Sequence, residues 1–306
     1  MYFTVCIPIY NRAHTIVRTL DSLERQCFKD FEILMIDDGS EDNLREVLDE
    51  WKQKNTHEIR YIHKENGGKH SALNVGIHNA EGKFFMILDS DDWLVDNALE
   101  KLHELCTNIE EDDKFSGVMV RSLDIDTNQM VGEAFKESPM VSSYVDYHFV
   151  LPFKMDINDC FECNKTNILR QYHFPEDENT KFVPEAWLFD QVGLNYKLYC
   201  TNDILRYIEY QEDGITLTNT FKQKNIVGYL YHYISRIENV LPNVKVPKRN
   251  YVIAWWRYWD AVKKDKEKLG PRCKKITFLG RVVRVAMPFI NVVYRVRYKE
   301  YYKAGR

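Results

Sequence analysis

The sequence predicts an α/β protein whose mainly parallel sheet is flanked by helices and followed by a helical C-terminal extension. Over the first ninety or so residues, short apolar β-rich runs alternate with segments of helical period, the pattern of βαβ units. The runs end in polar or acidic residues, Pro8-Ile9-Tyr10-Asn11, Asp37-Asp38 and Asp89-Ser90-Asp91. In a parallel sheet such ends share one rim, where ligands bind. From Phe221 onward the composition turns helical, over 221–241, 249–269 and 275–301.

Tyr2 to Ile9, halted at Pro8 and Asn11, reads as the first strand. Ile16, Leu20 and Leu23 share one face at i, i+4, i+7 and predict a helix from Ala13 to Gln26. A second strand spans Phe31 to Ile36, a helix Asp42 to Lys54 and a third strand Ile59 to Ile62. Asn66-Gly67-Gly68-Lys69 is a turn before a helix from Ser71 to Asn79. Phe84 to Leu88, five apolar residues in succession, is a fully buried fourth strand. A helix from Asn97 to Asn108, a strand from Gly117 to Asp124, and extended segments at Asp156–Phe161 and Ile204–Tyr210 follow. Val183-Pro184-Glu185 leads into a helix expected to run to about Lys197.

At 306 residues the chain can hold one large or two modest domains. Its net charge of −4 is unevenly placed: residues 272–306 carry ten Lys/Arg against Glu300 alone, which leaves −13 on residues 1–271. A basic tail on an acidic body points to an anionic partner. Apolar residues dominate between the tail's charges, which fits a membrane surface better than nucleic acid. The alternative is a helix packed on the body with its basic side in water, and Trp255, Trp256 and Trp259 are an interface belt or a core cluster. The seven cysteines have no framework spacing, and the single CxxC, Cys160 with Cys163, lacks the second pair a zinc site needs. The N-terminus lacks a signal-peptide layout and no apolar run reaches 18 residues, so a cytoplasmic protein, peripheral on the membrane's inner face, is expected.

The fourth strand ends in Asp89, Asp91 and Asp92, three carboxylates within four positions. Carboxylates this close raise one another's pKa unless a cation intervenes, and a hard divalent ion such as Mg²⁺ or Mn²⁺ is suited to oxygen ligands and a diphosphate. An acidic turn capping the next helix would look the same. Asp38 with Gly39 has the form of an Asx turn, and Lys69-His70 that of solvated surface.

Taken in series, PIYN, DDGS, NGGKHSALNVGI and LDSDDW resemble family 2 glycosyltransferases, densely over residues 1–100, more sparsely to about 216. The resemblance implies the GT-A nucleotide-diphospho-sugar transferase fold and an inverting, metal-dependent transfer from a nucleotide-sugar, most often a UDP-sugar, to a glycan or lipid-linked glycan acceptor. Carried over, it assigns Pro8, Tyr10, Asn11 and Asp38 to the base and ribose. It places Lys69, His70 and Ser90 near the nucleotide, Asp91 on the metal, and Asp89 on ribose or the metal's shell. Asn74 is structural or ribose-facing. The general base falls at Glu185, where relatives carry Glu-Asp; here Pro184 replaces the first acid and Glu the second. Asp190 and Glu178 are lesser candidates, and a helix-dipole acid is the structural alternative for Glu185. Asp159 would lie near the acceptor, and Asp213 and Thr216 in a loop over the diphosphate. The implied division is 1–220, with a nucleotide half to residue 100 and an acceptor-side half beyond, then 221–306.

A P-loop is excluded because His63 and His70 stand where it needs Gly and Ser/Thr. A haloacid dehalogenase-type phosphohydrolase would carry DxD on the first strand, and a nucleotidyltransferase would need a Gly-rich basic loop where Asn11-Arg12-Ala13 stands. A non-catalytic, membrane-associated nucleotide-sugar-binding protein of the same fold remains the alternative from another class.

Overall fold

The computed structural model describes residues 1–150, 160–210 and 219–297. In chain order the elements that shape the site are β1 (Phe3–Ile9), α1 (Ile16–Glu24), β2 (Phe31–Asp37), α2 (Leu44–Lys52), β3 (Ile59–His63), α3 (Lys69–Asn79), β4 (Phe84–Ile87), β5 (Trp93–Leu94), α4 (Ala98–Thr107) and β6 (Phe115–Asp124). They continue with β7 (Gln129–Met130), β8 (Met140–Ser142), β9 (Cys160–Lys165), α5 (Thr166–Leu169), α6 (Ala186–Gly193), β10 (Lys197–Ile208), α7 (Asn219–Lys224), α8 (Ile226–Ser235), α9 (Lys248–Lys264) and α10 (Phe278–Arg297). The strands form one ten-stranded sheet of order β3-β2-β1-β4-β9-β6-β10-β5, with β7 on β6 and β8 on β10. The β3-β2-β1-β4 half is parallel, as is β6 with β10; β9 is inserted antiparallel between β4 and β6.

Apolar residues on both faces explain the continuous hydrophobic runs of β1, β2 and β4. On one face Phe3, Val5, Ile7, Ile33, Met35 and Met86 pack with Leu20 of α1, Leu48 of α2 and Leu102 of α4. On the other, Cys6, Leu34, Ile36 and Phe85 pack with Ala72, Leu73 and Ile77 of α3 and Leu188 of α6. The α3 helix lies so close to β1 that a Cβ on Gly76 would come within 2.5 Å of Cys6 Sγ. Cys160 and Cys163 belong to clusters on opposite faces of the sheet, so the CxxC does not converge.

Helices α8 to α10 build a further cluster around Leu230, Tyr258 and Val283, with Trp255 and Trp259 buried in it. Of the two readings of the tryptophans, the core is the one the structure shows. This cluster is tied to the sheet unit by Asp190 of α6, whose carboxylate pairs with Arg236 just after α8 at 2.6 Å.

Several expectations needed correction. The helix after Pro184 stops at Gly193, because Lys197 already pairs in β10 with Phe115 of β6. That strand begins seven residues before Ile204. The two-residue strands β5 and β7 have no periodicity of their own and exist through pairing. Helix 221–241 is divided at Asn225.

Candidate active site

The C-terminal ends of β1, β2 and β4 open onto a cleft of about 500 Å³. Pro8, Tyr10, Asp38, Lys69, Asp89, Ser90 and Asp91 line it, together with Arg12, Lys181 and Phe182. Behind Asp89 lies a second cavity of about 220 Å³, bounded by Glu185, Glu162, Tyr144 and Arg206. Asp89 walls both spaces.

The acidic turn after β4 is held by α1 through its backbone, which leaves its carboxylates to face the cleft. Thr15 Oγ1 donates to the Ser90 carbonyl at 2.8 Å, Arg18 Nη2 to that of Asp91 at 2.9 Å, and Thr19 Oγ1 to that of Asp92 at 2.7 Å. Arg18 is itself placed by stacking on Trp93, 3.7 Å from the ring centre, and by an ion pair with Glu209 at 2.7 Å. Nothing in the α1 sequence marks these residues beyond a polar face.

Three charged side chains meet between the two spaces. Lys69 Nζ is 2.5 Å from Asp89 Oδ1 and 2.6 Å from Glu185 Oε1. Burial works against the charge on both Asp89 and Lys69. Their mutual attraction, with Glu185 adding to it on the lysine, outweighs burial: the Asp89 carboxyl sits below the usual range and the Lys69 ammonium above its own. Asp91 is shifted the other way, upward, by burial and by the Asp89 charge, with only partial relief from Lys69 and Arg12. Its carboxylate is therefore a place short of positive charge, and hard oxygen donors of this kind suit Mg²⁺ or Mn²⁺. No group of three or more His, Cys, Asp or Glu converges as a metal cluster among the described residues. An ion at Asp91 would draw its remaining ligands from a diphosphate and water, as hard cations shared with phosphates do.

Asp38 is buried in the Gly-Gly turn: Oδ1 accepts from Lys64 Nζ at 2.8 Å and Gly67 N at 2.9 Å, and Oδ2 from Gly68 N at 2.6 Å. These donors come from the loop after β3, so no Asx turn forms with Gly39, and with three donors for about four lone-pair sites the carboxylate keeps acceptor capacity toward the cleft. Gly68 has φ +92°, and a Cβ there would lie 1.7 Å from the Lys181 carbonyl oxygen, so only glycine allows this approach. Asn11 does not line the cleft; at φ +52° it ties the loops after β1 and β2 together, its N–H donating to Ser40 Oγ at 3.0 Å and its Oδ1 accepting from Glu41 N at 2.7 Å.

His70 lies behind the cleft wall, 1% exposed, with neither ring nitrogen hydrogen-bonded, and burial pulls its pKa down to about 4. The expected contact with the nucleotide is corrected accordingly: one residue past Lys69 on α3, His70 is buried with its ring edge-on to Phe174, 6.4 Å between centroids, and does not line the cleft. Asn74 is structural, with its amide donating to the Phe174 carbonyl at 3.1 Å and to Glu176 Oε1 at 2.7 Å, and accepting from Phe174 N at 2.9 Å. Asp190 is committed to Arg236 deep in the protein, and exposed Glu178 lines neither space, which removes both as bases. Asp159, Asp213 and Thr216 lie outside the described residues. Arg12, Lys181, Glu162 and Arg206, which sequence reasoning missed, reach the site from loops and sheet positions distant in sequence.

A Rossmann-like mixed sheet with an acidic turn over a nucleotide-sized cleft defines a GT-A glycosyltransferase. The family profile "Glycosyl transferase family 2" matches residues 4–176, and the chain belongs to this family. It is 35% identical over 109 residues to the glycosyltransferase GlyA of Streptococcus pneumoniae, covering 36% of this chain and 16% of that one. With GlyG of the same organism it is 36% identical over 102 residues, 33% of this chain and 34% of that one. The alignments thus span only 16% and 34% of the length of these curated relatives. Among solved structures, S. aureus TarS 1–349 in complex with UDP-GlcNAc superposes with a TM-score of 0.62 at 18% identity, covering 96% of this chain and 92% of that one. The Pyrobaculum calidifontis mannosyltransferase PcManGT, in complex with GDP-Man and Mn²⁺, gives 0.59 at 15% identity, covering 99% and 83%.

Proposed function

We propose that this glycosyltransferase moves a sugar, with inversion, from a UDP-sugar to a hydroxyl of a glycan or lipid-linked glycan, with Glu185 as general base. The observation that carries the reading is the position of Asp89 between two spaces. The 500 Å³ cleft is suited to the nucleoside diphosphate, and the 220 Å³ cavity, walled by Glu185, to the reacting sugar. Pro8 and Tyr10 would flank the base, and Asp38, an acceptor only, suits a ring N–H such as that of uracil. Asp91, with Asp89 beside it, would hold Mg²⁺ or Mn²⁺, and Arg12 and Lys181 supply positive charge at the same wall. When bound, the ion offsets the charge that develops on the departing diphosphate. Glu185 Oε would take the acceptor's proton from the side of the sugar opposite the diphosphate, held in place by Lys69. Relatives complexed with UDP-GlcNAc or with GDP-Man and Mn²⁺ support a nucleotide-sugar and a divalent ion without choosing the sugar.

In this reading residues 1–220 form the catalytic unit and 221–306 a helical region. The basic C-terminal segment brings the acidic body to the inner face of a membrane, where a lipid-linked acceptor is presented, in a capsule-type polysaccharide pathway. Calorimetric titration of UDP, GDP, dTDP and CDP, each with and without Mn²⁺, tests the site. The expected result is metal-dependent binding of UDP alone, lost in Asp91→Asn. Binding of no nucleotide under any condition would refute it. Metal-dependent UDP binding without turnover, unchanged by Glu185→Gln, would favour the non-catalytic alternative.

A further inference from the structure

We infer that one face of α10 is a membrane-docking surface that lies flat in the interface of an anionic bilayer; the inference gives a physical form to the membrane placement proposed above. The helix buries one side against α9: Gly280 sits where a Cβ would come within 2.8 Å of the Trp255 ring, Val283 is fully buried, and Trp256 Nε1 donates to Asn291 Oδ1 at 2.7 Å. Its other side is bare. Phe278 is 83% exposed, Val285 80%, Phe289 77% and Val293 63%, with Val282 and Val292 also exposed. At 3.6 residues per turn these six fall within an arc of about 100°, opposite Gly280, Val283, Met287 and Ile290. The stripe is roughly 22 Å long at 1.5 Å per residue. Two exposed phenylalanines and four valines in one file are more apolar surface than a water-facing helix keeps.

Charge identifies the occupant. No acid occurs between Phe278 and Arg297, while Lys274, Lys275 and Arg281 are exposed at the start of the stripe and along its edge. Residues 1–271 carry −13. An anionic surface therefore repels the body and attracts this helix alone, which fixes the orientation of the protein on it. No helix among the described residues is long and apolar enough to cross a membrane, so α10 would lie in the interface with its phenylalanines at acyl-chain depth and its basic rim among the headgroups.

The test is co-sedimentation of the full chain with phosphatidylcholine vesicles, with and without one-third phosphatidylglycerol. Binding to the anionic vesicles is expected and should weaken with salt. The triple variant Phe278→Ser, Val285→Ser, Phe289→Ser alters only exposed side chains and should lose at least about tenfold in partitioning. Lys274→Gln with Lys275→Gln should lose roughly fivefold per charge, the equivalent of about 1 kcal/mol each near an anionic surface. Failure of wild type to bind anionic vesicles, or equal binding by the triple variant, would overturn the inference. So would a dimer in light scattering that the triple variant dissolves while vesicle binding stays unchanged, since the stripe would then cover a second copy. UDP titration of the same variants reads the nucleotide site separately, so loss of docking and loss of the transferase reading are distinguishable.

Discussion

Replacing Glu185 with Gln is expected to lower turnover by about 10²–10⁴, the usual contribution of a positioned general base. At 1.36 kcal/mol per decade this is about 2.7–5.4 kcal/mol of transition-state stabilisation. The structure explains why the substitution isolates the proton transfer. The carboxamide oxygen can still accept from Lys69 Nζ, now 2.6 Å from Glu185 Oε1, so Lys69 and Asp89 keep their places. Glu185 does not line the larger cleft, proposed for the nucleotide, so the affinity for UDP should change by less than about twofold, well inside the 1.4 kcal/mol that a tenfold change represents. Its side chain is 31% exposed, and a thermal melt would reveal any folding defect from the added amide. The assay is initial-rate release of UDP from a UDP-sugar with acceptor present, alongside calorimetric UDP binding. Turnover within about threefold of wild type, with UDP binding intact, would refute Glu185 as base. Glu162, the carboxylate of the same cavity that is not paired with Lys69, would then be the group to replace.

Two further outcomes concern stability. Asp190→Ala leaves the Arg236 guanidinium without its counter-ion in a position where Asp190 is 1% exposed, and should destabilise by about 3–5 kcal/mol, read from the urea midpoint at constant slope; a loss below about 1 kcal/mol would contradict the buried pair. Burial alone would raise the Glu24 pKa, but hydrogen bonds from Thr56 and His57 outweigh it and set it at about 2 instead of 4.5. A depressed carboxylate stabilises the fold above its unfolded pKa and loses that contribution as pH falls toward 2. The shift corresponds to roughly 3 kcal/mol, and solvent screening at a side chain 22% exposed leaves about 1–2 kcal/mol. Glu24→Gln should therefore be less stable than wild type at pH 7 and converge with it near pH 2; a constant difference across that range would refute the assignment.

Particular residues show how far the sequence reaches. The apolar runs and period-3.6 patterns of residues 1–124 place five strands and four helices within a few positions, because each buries residues that local hydrophobicity already marks. The rim was legible for the same reason: parallel strands bring their C-terminal ends together, so DDGS and DSDD had to be neighbours. The NGGK turn was legible through its glycines, and Gly68 does adopt φ +92°.

What the sequence could not determine depends on partners chosen in three dimensions. Strands β5 and β7 exist only by pairing, and the helix after Pro184 ends where β10 claims Lys197. His70 and Lys69 are adjacent in a motif, yet a 100° step around α3 sends one against the Phe174 ring and the other to the carboxylates. The resemblance to family 2 enzymes supplied Asp89 and Glu185 as separate residues, 96 positions apart. Only the tertiary structure joined them through one ammonium, because a charge pair is a property of distance and burial, neither of which is written along the chain.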